Sequence, residues 1–539
     1  MGGMKMKRFS KAILLLVCLA MVVSLFAGCA GNRTVGGIEI ASRSELSPSK
    51  IGDYGSLKLP LDKEGTTIRI LCATDVTSNN DSVIINELRR RTGINVQVQA
   101  VPVATYKEKA KVLIATKEEM PEILYPSGFS TDEVNDFGNQ GAFANTLAYK
   151  DDLPNFKKIF IDEAEERGLA GTIKNYMSPD GKLYMFPIYD INRDVNHGML
   201  YRKDIFDKHG IEMWHDKDSF IEVLRELKRL YPNSTPFASK TQTTIFRDIG
   251  YSWGLNGYNM YFDEETSSWK YGCIDSKFKE VLDFIKLLYN ERLLDPEFLT
   301  ATQNAWTNKM TQADKAFVTW DWIGRLDQFT DSSTVPGYDL RYGYPIGGKV
   351  VTLAKTGMGS CIKSGPTELL SLKLCDYLLS DSGAQLLTMG IEGVTYNLRE
   401  DGRAEYIGFE GKRGVSINDL EEKYGMYISG VYKRFDRRSS YYDFTAREQE
   451  AQDMMNNKEG GGYLPQDPVL SFTPEERKIS SQYSAGISKA AEEFATKYVL
   501  NNLGDKEWNE WVAKAKRLGA DKIVEVCNAA QVRYDQLTI

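Results

Sequence analysis

A fifteen-residue run, 12–26, apolar but for Ser24, follows Lys5, Lys7, Arg8 and Lys11 and leads into Ala27-Gly28-Cys29-Ala30. A run of that length suits the core of a secretory leader and falls short of the roughly 18 residues a membrane-spanning helix needs, so the chain is expected to be exported. Residues 30–60 then mix Gly, Ser, Pro and charge without a period, the pattern of a flexible tether. Regular patterning starts near Thr66. Ile68, Ile70, Leu71 and Cys72 read as a buried strand, residues 82–91 as a helix closed by Gly93, and Ile94, Val96 and Val98 as a second strand. A helix over 105–116 and a short strand over 122–125 complete a βαβαβ start. That unit predicts a parallel sheet with ligands favoured at the carboxyl ends of its strands.

Further along, Pro179-Asp180-Gly181 between apolar flanks predicts a tight turn, because Pro fixes one φ and Gly accepts a positive one. Ser219 with Glu222 reads as a capping box before Phe220, Val223, Leu224 and Leu227, and Thr473-Pro474-Glu475-Glu476 combines cap, N1 proline and N3 glutamate. Asp275 can cap a helix carrying Phe278, Val281, Leu282, Ile285 and Leu288. Helices over 508–518 and 523–537 end the chain.

The 539 residues leave room for two or three domains once the leader is removed. A net charge of −7, with no basic run, makes nucleic acid and anionic lipid poor partners. Of seven cysteines, Cys18 falls in the leader; Cys72, Cys273, Cys361, Cys375 and Cys527 are widely spaced, which argues for small buried hydrophobes rather than a disulfide framework or a zinc site. Ala-Gly before Cys29 resembles the lipobox of bacterial lipoproteins, which would make Cys29 the lipidated first residue of the mature chain.

Catalytic signals are sparse. His197, His209 and His215 are the only histidines and read as surface or loop residues, and neither H-E-x-x-H nor G-x-S-x-G occurs. Asp190-Ile191-Asn192-Arg193-Asp194 opens like a calcium loop, but Val195 and Tyr201 stand where glycine and a bidentate glutamate are needed, so no metal and no cofactor is expected. The aromatics are more telling, at 11% of the chain. Most must be core, yet Tyr251-Ser252-Trp253, Trp320-Asp321-Trp322 with Arg325, and Glu392-Gly393-Val394-Thr395-Tyr396 lie in polar surroundings. Flat aromatic faces beside Asp, Glu and Arg suit a sugar ring, which has apolar C–H faces and a rim of hydroxyls.

Several segments together resemble the extracellular solute-binding lipoproteins of ABC importers, in the maltodextrin-binding-like group of Gram-positive bacteria. They are Gly141-Ala142-Phe143-Ala144-Asn145-Thr146-Leu147, the stretch Asp180 to Pro187, the stretch Leu200 to Ile211, Ala316-Phe317-Val318-Thr319-Trp320, and Asn528-Ala529-Ala530-Gln531-Val532-Arg533-Tyr534. The resemblance implies a two-lobed α/β fold of the periplasmic-binding-protein type, its lobes joined by two or three hinge crossings. After a leader (1–28) and tether (29–61), the N-terminal lobe would take 62–195 plus 347–390 and the C-terminal lobe 199–342 plus 394–539. Ligand contacts carried over by position are Asp75, Tyr189, Asp190, Trp253, Trp320, Trp322, Arg325, Glu392 and Tyr396. The partners implied are an oligosaccharide, the permease subunits of an ABC transporter, and the outer face of the cell membrane through the lipid on Cys29; the chain would act as a monomer and without chemistry. Thr116-Lys117 and Pro121-Glu122 depart from the family's usual Gly-Asp and Pro-Asp, and the tail beyond 394 is long. A secreted glycoside hydrolase or lyase is the alternative, from the same aromatics and the 74 acidic residues. A receptor for peptides or a sugar acid, with Arg325 pairing a carboxylate, is a weaker one.

Overall fold

A computed structural model describes residues 33–539 apart from Gly36, Ser78, Glu118, Gly411, Arg413 and Gly460. The leader and Cys29 lie outside the described residues. The chain packs as two compact units. The first holds the residues up to Phe129, Phe137–Asp162 and Gly359–Ser440; the second holds Ser130–Asp136, Glu163–Met358 and Tyr441–Ile539.

In the first unit the expected βαβαβ start is present. Strand Thr67–Ala73 pairs in parallel with Asn95–Val101 over all seven residues and with Ile123–Leu124 on its other side. Cys361 and Ile362 then pair antiparallel with Leu124 and Ile123. Ile68, Ile70, Leu71 and Cys72 of the inner strand are buried, and on the edge strand Val96 and Val98 are buried while Gln97 between them is exposed. Helix Val83–Thr92 starts where Ser82 accepts from Ile85 N and buries Ile84, Ile85 and Leu88. It stops at Gly93, whose φ of 73° admits no other residue cheaply and whose absent Cβ would lie 2.1 Å from the Asp62 carbonyl oxygen.

The expected tether is not free chain. Arg33–Val35 and Ile38–Ile40 form a hairpin, Ala41 N donates to Arg90 O at 3.0 Å, and Ala41, Leu46 and Ile51 bury against Tyr54 and Leu59. The pattern was misread because three apolar residues scattered among polar ones carry no period.

The packing also divides the chain elsewhere than the expected lobe boundaries. Residues 394–440 belong to the first unit: Tyr427 N donates to Leu387 O at 2.8 Å, and Thr388 Oγ1 accepts from Asp436 N at 2.8 Å. Residues 163–195 belong to the second. There Gln452 clamps both backbone groups of Val195, accepting from its N–H at 2.9 Å and donating to its carbonyl at 2.8 Å. Arg193 lies over the Tyr441 and Phe444 rings and pairs with Glu448. These ties reach 248 to 257 residues along the chain, beyond any local pattern.

The second unit is built on an antiparallel sheet with His197–Arg202 between Val318–Trp322 and Leu340–Tyr342. Helices Lys217–Leu230 and Ser276–Asn290 pack a large aromatic core that includes Phe220, Phe237, Phe278 and Trp214. The cap of the first is Asp216, reciprocated by Ser219, three residues ahead of the box read from Ser219 and Glu222. Asp275 caps the second and Thr473 with Glu476 caps Pro474–Leu500, both as expected. The last helix, Ala520–Gln536, holds the hairpin Met260–Asp263/Ser268–Tyr271: Asn528 Oδ1 accepts from Trp269 N at 2.9 Å and Gln531 Oε1 from Trp269 Nε1 at 2.8 Å. The C-terminal segment singled out by resemblance is therefore a structural latch. All five cysteines of the folded body are buried and unpaired, and burial pushes the Cys375 thiol up to about 11.

Candidate functional site

In the second unit, the end of the antiparallel sheet carries the chemistry. Trp320 pairs with Met199 and Trp322 with His197 at the strand ends, and Ile323 N donates to Asn196 O at 3.0 Å. Ala238 N donates to Val318 O, also at 3.0 Å, which lays Lys240 and Thr241 alongside Trp320 and Asp321. Helix Ile245–Gly250 adds Arg247 and Asp248. Its position depends on Gly257, where a Cβ would fall 2.9 Å from the Arg247 Cα and φ is +60°.

These residues enclose a pocket of about 340 Å³ lined by Asn196, His197, Lys240, Thr241, Arg247, Asp248, Tyr251, Trp320 and Asp321 among others. A second pocket of about 400 Å³ shares the Tyr251 and Val351 wall and is lined by Tyr261, Phe262, Asp263, Glu264, Glu265, Lys277 and Asp467. Both fall within the size range of small-molecule sites. The Tyr251 and Trp320 rings lie 6.4 Å apart, tilted by 37°.

The pocket's carboxylates are committed internally. Asp321, 6% exposed, accepts from Trp322 N at 2.8 Å and Arg325 Nε at 3.1 Å and forms an ion pair with Lys240 Nζ at 3.0 Å. Asp248, 4% exposed, accepts through Oδ1 from Arg247 Nε at 3.3 Å and Nη2 at 3.0 Å. Burial raises the Asp248 pKa, against the pull of the Arg247 guanidinium and a hydrogen bond from Thr241. His197 reaches solvent at the pocket edge, yet the surrounding walls desolvate it enough to hold its pKa below the ordinary value, with Asp321 and Asp248 opposing. Neutral at pH 7, its Nδ1 lies 2.9 Å from Asn196 Nδ2 and accepts from it, which leaves the proton on Nε2.

Of the residues carried over by resemblance, Trp320 lines this pocket and Arg325 stands behind it, joined through Asp321. Trp322 is 40% exposed and its ring covers Gly324 rather than the pocket. Trp253 is a structural residue: its Nε1 donates to Glu280 at 3.0 Å, Lys217 lies 4.2 Å over its ring, and its edge meets Phe284. Tyr189 and Asp190 are buried at 8% and 2% exposure, and Asp190 is pinned by Tyr442, whose hydroxyl donates to its carbonyl at 2.6 Å. Asp75 and Glu392 are exposed residues of the first unit. Tyr396, in the same unit, has no exposed surface and accepts from Gln385 Nε2 at 3.1 Å, so it is a core tyrosine with no face to offer a ligand. Lys240, Thr241, Arg247 and Asp248 were missed, and Tyr251 was passed over for Trp253 two residues on. Single charged residues give no signal in sequence, although Tyr251 did stand in a polar stretch.

The fold matches known proteins over nearly its whole length. Residues 81–357 match the model of the bacterial extracellular solute-binding protein family, and the chain belongs to that family. No curated protein matches the sequence. Among solved structures, a crystallised alginate-binding protein without calcium ion is 22% identical, with a TM-score of 0.63, 88% of this chain covered and 99% of that one. An HMO-binding, ABC-transporter-associated solute-binding protein from Bifidobacterium longum infantis is 14% identical, with a TM-score of 0.64 and coverage of 88% and 99%. An N-glycan transport solute-binding protein from Streptococcus pneumoniae is 18% identical, with a TM-score of 0.56 and coverage of 87% and 98%. The fold is thus the two-lobed α/β fold of solute-binding proteins. Among the described residues no helix is long and apolar enough to cross a membrane.

Proposed function

We propose that this protein captures an oligosaccharide outside the cell and passes it unchanged to the permease of an ABC importer, acting as a monomer held at the membrane by a lipid on Cys29. The observation that carries the reading is the pocket wall of Trp320 and Tyr251 set among Lys240, Arg247, His197 and Asp321. An aromatic face desolvates one side of a sugar ring while polar groups meet its rim. The adjoining pocket beyond Tyr251 gives room for further rings, and the three structural neighbours are named for alginate, HMO and N-glycan ligands. Binding without chemistry accords with the state of the pocket carboxylates. Asp321 already accepts two hydrogen bonds and holds an ion pair with Lys240, and Asp248 is paired with Arg247, so each is engaged within the unit.

The test is a thermal-shift panel of plant and host glycans, followed by calorimetric titration of hits and mass spectrometry of the recovered sugar. A ligand that binds only the folded state raises the melting temperature by mass action, and the glycan should return with its mass unchanged. Release of shortened products would instead establish the hydrolase or lyase alternative.

A further inference from the structure

The hydrogen-bonding capacity left over in the pocket is unbalanced, and the imbalance specifies a charge. Asp321 is taken up by Trp322, Arg325 and Lys240, and Asp248 gives its Oδ1 to Arg247, so of the two carboxylates only Asp248 Oδ2 keeps lone pairs for the hydroxyl protons of a neutral sugar. The donors are not spent. Arg247 uses Nε and Nη2 on Asp248, while its Nη1 has no acceptor among the described residues and the side chain keeps 45% of its exposure. His197 has Nε2–H to give. Three cations, Lys240, Arg247 and Arg325, stand against two carboxylates at this end. A guanidinium with one free nitrogen in a partly enclosed, low-dielectric pocket is a strong site for a carboxylate.

Across the shared Tyr251 and Val351 wall the sign reverses. Asp263, Glu264, Glu265 and Asp467 line the second pocket, countered by Lys277 and by Lys270, which pairs with Asp263. A chain bearing an acid on every ring would meet like charge there.

Resting on the oligosaccharide reading above, we propose that the ligand is a singly acidic oligosaccharide: one carboxylate-bearing sugar sits on the Trp320 face with its carboxylate at Arg247, and the uncharged remainder extends past Tyr251 beside the acidic pocket.

The test exposes the full chain to mixed pools holding neutral, singly acidic and multiply acidic oligosaccharides of similar length. Partial hydrolysates of glucuronoxylan, sialylated and neutral milk oligosaccharides, and oligogalacturonates supply these classes; what the protein retains is identified by anion exchange and mass spectrometry. The expected result is at least a tenfold enrichment of singly acidic species over neutral ones, abolished by Arg247→Gln and largely kept by Arg247→Lys. An unchanged far-ultraviolet circular-dichroism spectrum and a cooperative thermal transition report that the Arg247→Gln variant is folded. Equal retention of neutral glycans, or preference for oligogalacturonates, overturns the charge assignment and leaves the oligosaccharide reading standing. Retention of nothing from any pool overturns both.

Discussion

The two units bury charge in opposite ways. In the first, Lys433 and Asp376 lie in the core without an opposite charge and are answered by neutral groups, mostly backbone. Lys433 is 1% exposed and donates to the carbonyls of Gly430 at 2.8 Å and Val431 at 2.9 Å. Asp376, with no exposed surface, accepts from Phe156 N at 2.7 Å and from Asn155 Nδ2 at 2.8 Å. In the second, Asp248 and Asp321 are buried at the end of a sheet and answered by side chains that still reach a pocket. The first arrangement fastens loops to the core, since every donor and acceptor is used. The second leaves donors over, and a surplus of donors is what a ligand can use.

Removing the Lys433 ammonium should give the largest effect. Lys433→Ala strands two buried carbonyls and opens a cavity, so stability should fall by about 3–5 kcal/mol. Hydrogen exchange should then quicken across Thr67–Ala73 and leave His197–Arg202 unchanged; equal loss in both strands would erase the contrast between units. Asp376 tests the same unit by pH. Burial pushes its pKa up to about 6, above the unfolded value, so its contribution is fully present below pH 4 and lost as pH rises through 6. The loss is at most about 3 kcal/mol and should register as lower amide protection factors at Asn155 and Phe156. A protection factor that stays flat between pH 4 and pH 7 would show that its hydrogen bonds hold the ionised form without cost.

In the second unit, Trp320→Ala should weaken glycan binding by about 2 kcal/mol, some 30-fold, with little change in melting temperature because the ring is only half-buried. Its counterpart in the first unit is the smallest effect. Tyr396→Phe should cost about 1 kcal/mol of stability from the lost Gln385 bond and nothing in affinity; a matching loss of affinity would return Tyr396 to the site.

What the sequence made legible follows the range of the forces involved. Strand Thr67–Ala73 was readable because it ends in the buried run Ile70 to Ala73, and strand Asn95–Val101 because Val96 and Val98 alternate with Gln97 and Gln99. The caps at Asp275 and Thr473 were readable because capping is settled within three residues. Trp320 was singled out by its polar flanks, and so were Trp253 and Tyr396. Flanking polarity cannot tell a ring facing a pocket from one held by Glu280 or sealed under Gln385. Arg247 and Lys240 were invisible for a related reason: a charged residue is ordinarily solvated, and only the tertiary fold supplies Asp248, Asp321 and the cavity. The long-range ties were invisible likewise, because Gln452 reaching Val195 is no property of either neighbourhood.

The latch on Trp269 has a consequence for biogenesis. Asn528 and Gln531 lie 259 and 262 residues after the tryptophan they secure, so the hairpin cannot settle until that much more polypeptide has emerged. Such distant closure delays completion of a core, and a delay of this kind suits a secreted chain, which must thread a narrow translocation channel while still extended and compact itself on the far side.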